Sequence, residues 1–275
     1  MSASDYFQHA SVPLTSSVRV VRTALARRRL LRKERGVLQR YAGAFSGETV
    51  ICVGNGPSLR EDDVAIIGQY PFVATNRAYQ LFDENCFAFG GRGVLIVNDD
   101  NRCLEMLPGL SDKIKNVVFS TYTGETFFEV SALRREAWAF APAKWRLRRR
   151  RAALVLGADG RQCFSPQFDR VYFPGWSVIF SAIQFAYYLG AARIVLIGCD
   201  MEYSGKKQYS DLIKEERFGI GHIGEFDYAV HGRPHMLACR QALVARGVEL
   251  VNATPGGAID EVPRVRLSLL AESCR

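Results

Sequence analysis

The residues that first promise chemistry are Val50-Ile-Cys-Val-Gly54-Asn55-Gly56-Pro57-Ser58-Leu59-Arg60-Glu61. An apolar, β-branched run enters a Gly-x-Gly turn and then an acidic helix start. Ser58 and Glu61 have the spacing of a capping box, and Glu61, Asp62 and Asp63 suit the positive end of a helix dipole. Backbone N–H groups left free at such a turn bind anions, so the expected ligand is a phosphate. The turn is not a nicotinamide-cofactor fingerprint. Leu59 stands where a third small residue is needed, and the next apolar run ends Ala74-Thr75-Asn76-Arg77, without a ribose-binding acid. A Walker loop is excluded too, because no Gly-Lys-Ser/Thr follows.

Polar residues recur where further apolar runs end: Asn76, then Asn98-Asp99-Asp100-Asn101, then Gly198-Cys199-Asp200. In an open α/β sheet, ligands bind outside the carboxyl ends of the strands, so these side chains would line one pocket. Amides donate and accept toward a base and a ribose without adding charge. Any one of them could instead cap a helix.

Those positions need a framework, and the sequence supplies one. Short apolar runs predict strands at Thr49–Val53, Phe72–Thr75, 93–97, 116–120, 194–197 and 248–251. Helices are expected at 62–67, 127–140 and 234–246, with turns at 157–160 and after Arg246 at Gly247. Residues 176–192 carry no charge but are slightly short for a membrane span and include Ser177, Ser181, Gln184 and two tyrosines. They read as a buried helix, stopped at Gly190, that leads into a central strand. Strands interleaved with helices predict an α/β, Rossmann-like doubly wound, mainly parallel sheet. The expected organisation is a basic amphipathic arm at 1–47 and a catalytic domain at 48–275, with lid-like insertions near 123–170 and 201–232.

Composition places the charge. The chain has 275 residues, 36 Lys+Arg and 28 Asp+Glu, for a net +8. Nine basic residues lie between Arg19 and Arg40 against the single acid Glu34, which accounts for the whole surplus. A second knot, Lys144 to Arg151, adds six positive charges, so the remainder is net acidic. Residues 17–41 read as a basic amphipathic helix, suited either to an anionic membrane surface or to packing on the domain. Apart from Trp145, neither cluster is interleaved with base-reading residues, so no nucleic-acid partner is expected. The first ten residues lack a basic n-region and no apolar core follows, which predicts a cytoplasmic protein, peripheral at the inner membrane. Seven scattered cysteines without a CxxC pair signal neither a disulfide framework nor a zinc site.

Gly54-Asn-Gly-Pro-Ser-Leu59, Asn76, Asn98, the apolar helix entering Ile197-Gly-Cys-Asp200, and a later His before a helix resemble the bacterial sialyltransferases of glycosyltransferase family 42. Phe185-Ala-Tyr-Tyr-Leu-Gly190, Val251-Asn-Ala-Thr-Pro-Gly-Gly257 and Val262-Pro-Arg264 look closer still to the broader group of 6-hydroxymethylpterin diphosphokinase-like bacterial proteins. The resemblance spans residues 48–265. It implies an inverting glycosyltransferase, with no cofactor required, that moves a CMP-activated sialic acid or Kdo-like acid to a lipopolysaccharide or other surface-glycan acceptor. Gly54, Asn55, Gly56, Ser58, Asn76 and Asn98 would then hold the CMP portion. Gly175, Ser177, Asp200, Tyr203 and Tyr209 would line the rest, and His231 would be the general base, with His235 and His222 as rivals. The family Arg ahead of the apolar helix is missing from Tyr172-Phe-Pro-Gly175-Trp-Ser177, which leaves the donor sugar open. The diphosphokinase likeness implies an alternative: magnesium-dependent pyrophosphoryl transfer from ATP, with Asp99, Asp100 and Asp200 as metal ligands. The implied partners are the nucleotide sugar, a glycan or glycolipid acceptor, the anionic membrane through residues 17–41, and a second copy of the chain in a homo-oligomer.

Overall fold

The computed structural model describes residues 36–98, 110–120, 139–140, 155–156, 163–169, 172–173, 177–202, 209–213 and 227–272. Among them lie nine strands: β1 (Thr49–Val53), β2 (Phe72–Thr75), β3 (Gly93–Asn98), β4 (Val117–Ser120), β5 (Ala139–Phe140), β6 (Val155–Leu156), β7 (Cys163–Phe164), β8 (Arg193–Ile197) and β9 (Glu249–Asn252). The longer helices are α1 (Glu61–Ile67), α2 (Val178–Tyr188), α3 (Arg233–Val244) and α4 (Leu267–Glu272).

Seven strands form one sheet in the order β5-β4-β3-β2-β1-β8-β9, every pair parallel. This is the α/β, Rossmann-like architecture the sequence predicts. The central strands are apolar on both faces, as a doubly covered parallel sheet requires. Val50, Cys52, Val73, Ile96 and Leu196 turn toward α2 and α3, while Ile51, Val53, Phe72, Leu95 and Ile197 turn toward α1 and α4. The chain leaves β1 toward β2 on one side, and β8 runs on to β9 on the other. The gap between β1 and β8 is therefore the topological switch point.

The uncharged run at 176–192 is a buried helix. Ile179 through Ala186 of α2 are all buried, Gln184 included. Gln184 Oε1 accepts from the N–H groups of Ser165 and Phe173, both at 3.0 Å, and Nε2 donates to Phe173 O (2.6 Å) and Phe180 O (2.8 Å). All of its hydrogen-bonding capacity toward the backbone is used inside the core. No helix among the described residues is long and apolar enough to cross a membrane.

Two expectations change. Ala139–Phe140 is an edge strand, not the end of a helix, because it pairs in parallel with Val118 and Phe119; residues 127–138 lie outside the described residues. The domain also begins before residue 48. Leu38 and Tyr41 are buried in the core, and the N–H groups of Gly43, Phe45 and Gly47 donate to the carbonyls of Tyr188, Leu189 and Gly190. Tyr41 packs edge-on against Phe185 at 5.5 Å, and burial pushes its phenol up to about 12. Apolar residues at 37, 38, 41 and 45 thus close the base of α2, which explains part of the arm's helical pattern. Residues 1–35, the Lys144–Arg151 knot and the turn at 157–160 lie outside the described residues.

Candidate functional site

The carboxyl ends of β1 and β8 stay paired beyond the strands. Gly54 N–H donates to Ile197 O (2.8 Å) and Gly56 N–H to Gly198 O (2.9 Å). This close approach needs glycine, since a Cβ on Gly54 would collide with the Gly198 carbonyl and one on Gly56 with the Asp200 carboxylate. Of the amides expected to be free for a phosphate, those of Gly54 and Gly56 are thus bound to protein.

Asp200 takes the next donors. Its Oδ2 accepts from the Ser58 hydroxyl at 2.9 Å, and the Ser58 N–H is also directed to its carboxylate. Ser58 is therefore not the helix cap the sequence suggests. Arg60 stands at the cap position before α1 instead, its N–H donating to Asp63 Oδ2 at 3.0 Å. A phosphate seated at Ser58 would face an ionised carboxylate, so the turn favours ligand donors over ligand anions.

Burial raises the Asp200 carboxyl above its ordinary 3.8, against the opposing pull of the Ser58 hydrogen bonds. The native chain therefore holds this proton more tightly than the unfolded chain. The contribution of Asp200 to folding stability falls as pH rises from about 3.8 through the raised value. Asp200→Asn keeps an oxygen for Ser58 but removes the titration. By urea unfolding across this pH range, the stability of the variant relative to the wild type should rise with pH; a difference that does not change with pH would contradict the assignment.

Asn55 supplies an acceptor whose orientation the structure fixes. The Thr75 hydroxyl spends its one proton on Val53 O (2.8 Å), so at 3.1 Å from Asn55 it can only accept. That places Asn55 Nδ2 on Thr75 and leaves Oδ1 buried, with no hydrogen bond among the described residues. Asn76 adopts φ +46°, a left-handed conformation that Asn tolerates better than most residues, and its Oδ1 accepts the Asn98 N–H at 3.2 Å. Asn98 is itself buried. The ends of β1, β2, β3 and β8 thus bring Asn55, Asn76, Asn98 and Asp200 to one edge of the sheet.

The Asn-Ala-Thr-Pro-Gly-Gly motif after β9 closes that edge. The Ala258 N–H donates to Asp200 O (2.9 Å) and the Cys199 N–H to Thr254 Oγ1 (3.1 Å). Asn252 holds the loop from within through Thr254 N–H and Ile259 O. The Arg264 guanidinium donates to the carbonyls of Thr254, Gly256, Gly257 and Ile259. These contacts give Val-Pro-Arg264 a role that the sequence left unexplained. Met201, with φ +54° directly after Asp200, is a second left-handed residue at this edge.

Tyr209 joins the site through its neighbour. The Ser210 N–H donates to Asn55 O (2.9 Å) and its hydroxyl to Leu59 O (3.1 Å), fastening residues 209–213 to the Gly turn. Neither Ser210 nor Thr75 was picked out from sequence, where each is one hydroxyl among many. Ser177 lies immediately before α2, whose start faces this same edge because α2 runs back along the sheet into β8. Gly175, Tyr203, His222, Asp99 and Asp100 lie outside the described residues.

His231 sits in a wide, i→i+5 turn (Tyr228–Gly232) that enters α3, also at the carboxyl edge. Asp227 shapes the turn: its Oδ1 accepts from the N–H groups of Ala229 (2.8 Å) and Val230 (3.4 Å). The Asp227 N–H in turn donates to His231 Nδ1 at 3.3 Å. With Nδ1 accepting, the neutral ring carries its proton on Nε2. Its rival His235 is buried, with Phe173 at 4.9 Å and Phe180 at 5.5 Å, and serves as a core residue. Among the described residues no three His, Cys, Asp or Glu side chains are placed to hold a metal ion.

Compared with known proteins, the chain matches no protein-family model, no curated protein and no solved structure.

Proposed function

We propose that the chain is a glycosyltransferase that binds the nucleoside of a CMP-activated acidic sugar at the β1–β8 switch point and transfers the sugar, with inversion, to a surface-glycan or glycolipid acceptor. The observation that carries this reading is the polarity of the crevice. Asn55 offers a buried acceptor that accepts no hydrogen bond among the described residues, and Asp200 offers a carboxylate held in place by Ser58. Both call for donors, such as ribose hydroxyls or an exocyclic amine, which a nucleoside has and a bare phosphate lacks. Asn76 and Asn98 extend the same neutral, amide-rich lining. The donor phosphate then belongs farther from the Gly turn, toward Ser177 and Tyr209.

His231 is the group we assign to the acceptor hydroxyl. Base catalysis requires the Asp227 N–H···Nδ1 hydrogen bond to open, or the ring to turn, so that an unprotonated nitrogen faces the acceptor. In this reading Asp200 orients the nucleoside and neutral donors stabilise the leaving phosphate, with no divalent ion required. The basic residues between Arg19 and Arg40 place the enzyme peripherally at the anionic cytoplasmic face of the inner membrane, beside a lipid-linked acceptor.

The test is incubation of the full chain with CMP-sialic acid or CMP-Kdo and a lipid-linked oligosaccharide, in the presence of a chelator. Release of CMP with growth of the acceptor is the expected result. Pyrophosphoryl transfer that requires ATP and magnesium, with no CMP release, would replace this reading by the diphosphokinase one.

A further inference from the structure

Glu261 has no part in the chemistry above, yet it joins the two halves of the site. It follows the loop that holds Asp200, and its side chain is only 4 % exposed. Its Oε1 accepts the Tyr228 hydroxyl, its Oε2 lies 3.8 Å from Arg233 Nε, and its main-chain carbonyl accepts Arg240 Nη1 at 2.8 Å. Oε2 accepts no hydrogen bond among the described residues, and burial raises the carboxyl above its ordinary 4.5. A buried carboxylate with one hydrogen bond and one long ion pair is a costly way to hold a loop.

Its partners show what it holds. Tyr228 and Arg233 lie on either side of His231, and between them runs the wide turn. Such turns carry one residue more than a regular helix and recur at functional sites. Resetting this one to α-helical register would turn the residues before α3 by about 100° about the helix axis, carrying His231 with them. A group that grips the chain on both sides of the extra residue opposes that reset.

We propose that Glu261 is a positioning residue: through the Tyr228 hydroxyl it holds the wide turn in register and so aims His231 at the edge where Asp200 lies. The catalytic consequence rests on the function proposed above, whereas the structural consequence does not. Asp227 sets the start of the turn, and Glu261 couples it to the loop that packs against Asp200 through Gly257 and Ala258.

Hydrogen exchange on the full chain tests the structural arm without any substrate. In Glu261→Ala and Tyr228→Phe the amides of 228–232 should exchange about 10-fold faster or more, while those of β1 and β8 are unchanged. Glu261→Gln, which keeps an acceptor for Tyr228, should restore most of the protection. If the amides of 228–232 stay as protected as in the wild type in both Glu261→Ala and Tyr228→Phe, or if Glu261→Gln exchanges as fast as Glu261→Ala, the proposal is overturned. In the transfer assay Glu261→Ala and Tyr228→Phe should each lower kcat about 10-fold with KM for the CMP-sugar unchanged, and the double variant should be no worse than either. Additive losses, or a loss confined to KM, would overturn the aiming role. A chain that transfers no sugar at all but shows the exchange pattern would instead retire the glycosyltransferase reading and leave the latch standing.

Discussion

His231→Ala is expected to lower kcat for sugar transfer by about 10²–10⁴-fold, the usual effect of removing a positioned proton acceptor. Affinity for CMP should stay within about two-fold, because the proposed nucleoside contacts are Asn55 and Asp200, just past the ends of β1 and β8, whereas His231 stands in the turn before α3. The fold should survive, since the ring is partly exposed and lies in the turn before α3, outside the buried core. His235→Ala is the informative contrast. That ring packs between Phe173 and Phe180, so its loss should lower the melting temperature. Steady-state kinetics beside calorimetric CMP titrations separate the two cases. Unchanged turnover in His231→Ala would remove His231 from the mechanism.

The largest effect on stability is expected at Gln184. Gln184→Leu nearly preserves volume but strands the N–H groups of Ser165 and Phe173 and the carbonyl of Phe173 in the core. At about 1–3 kcal/mol for each unsatisfied buried group, partly relieved by relaxation, the cost is about 3–6 kcal/mol. That is a large fraction of the ~5–15 kcal/mol by which domains are stable. A fall in melting temperature of about 10–20 °C follows for a chain of this size. Ser181 on the same helix is equally buried, but its hydroxyl makes no hydrogen bond among the described residues, so Ser181→Ala should be neutral or slightly stabilising. Equal losses in the two variants would mean that helix packing, and not the Gln184 bonds, governs this region.

The contrast between Gln184 and Asn55 shows how far sequence reasoning reaches. Strands β1 and β2 were legible to the residue, because β-branched runs end sharply at Gly54 and Asn76 and a doubly covered sheet needs such runs. The strand-end positions of Asn55, Asn76, Asn98 and Asp200 followed from the same reading. What those residues do could not follow. Ser58 has the local spacing of a helix cap, yet Asp200, distant in sequence, takes its hydroxyl, so a tertiary contact overrides the local pattern. The Gly turn likewise promised free amides until β8 was set beside β1.

Residues that act by joining distant segments leave little local trace. Gln184 reads only as a polar interruption of an apolar helix, Glu261 as one acid in a loop, and Thr75 as a β-branched strand residue. β5, at two residues, is too short to carry a period of its own. The arm shows the opposite case: an amphipathic pattern over 17–41 was visible, but spacing alone does not distinguish a lipid surface from the base of α2.

The central claim is that the β1–β8 crevice binds a cytidine nucleotide through acceptors on Asn55 and Asp200. Isothermal titration of the full chain with CMP, in the presence of a chelator, tests it directly. Saturable one-to-one binding is expected, weakened about 10-fold or more in Asn55→Ala, which deletes the fixed Oδ1 acceptor. No binding of CMP, or binding indifferent to Asn55→Ala, would contradict the account.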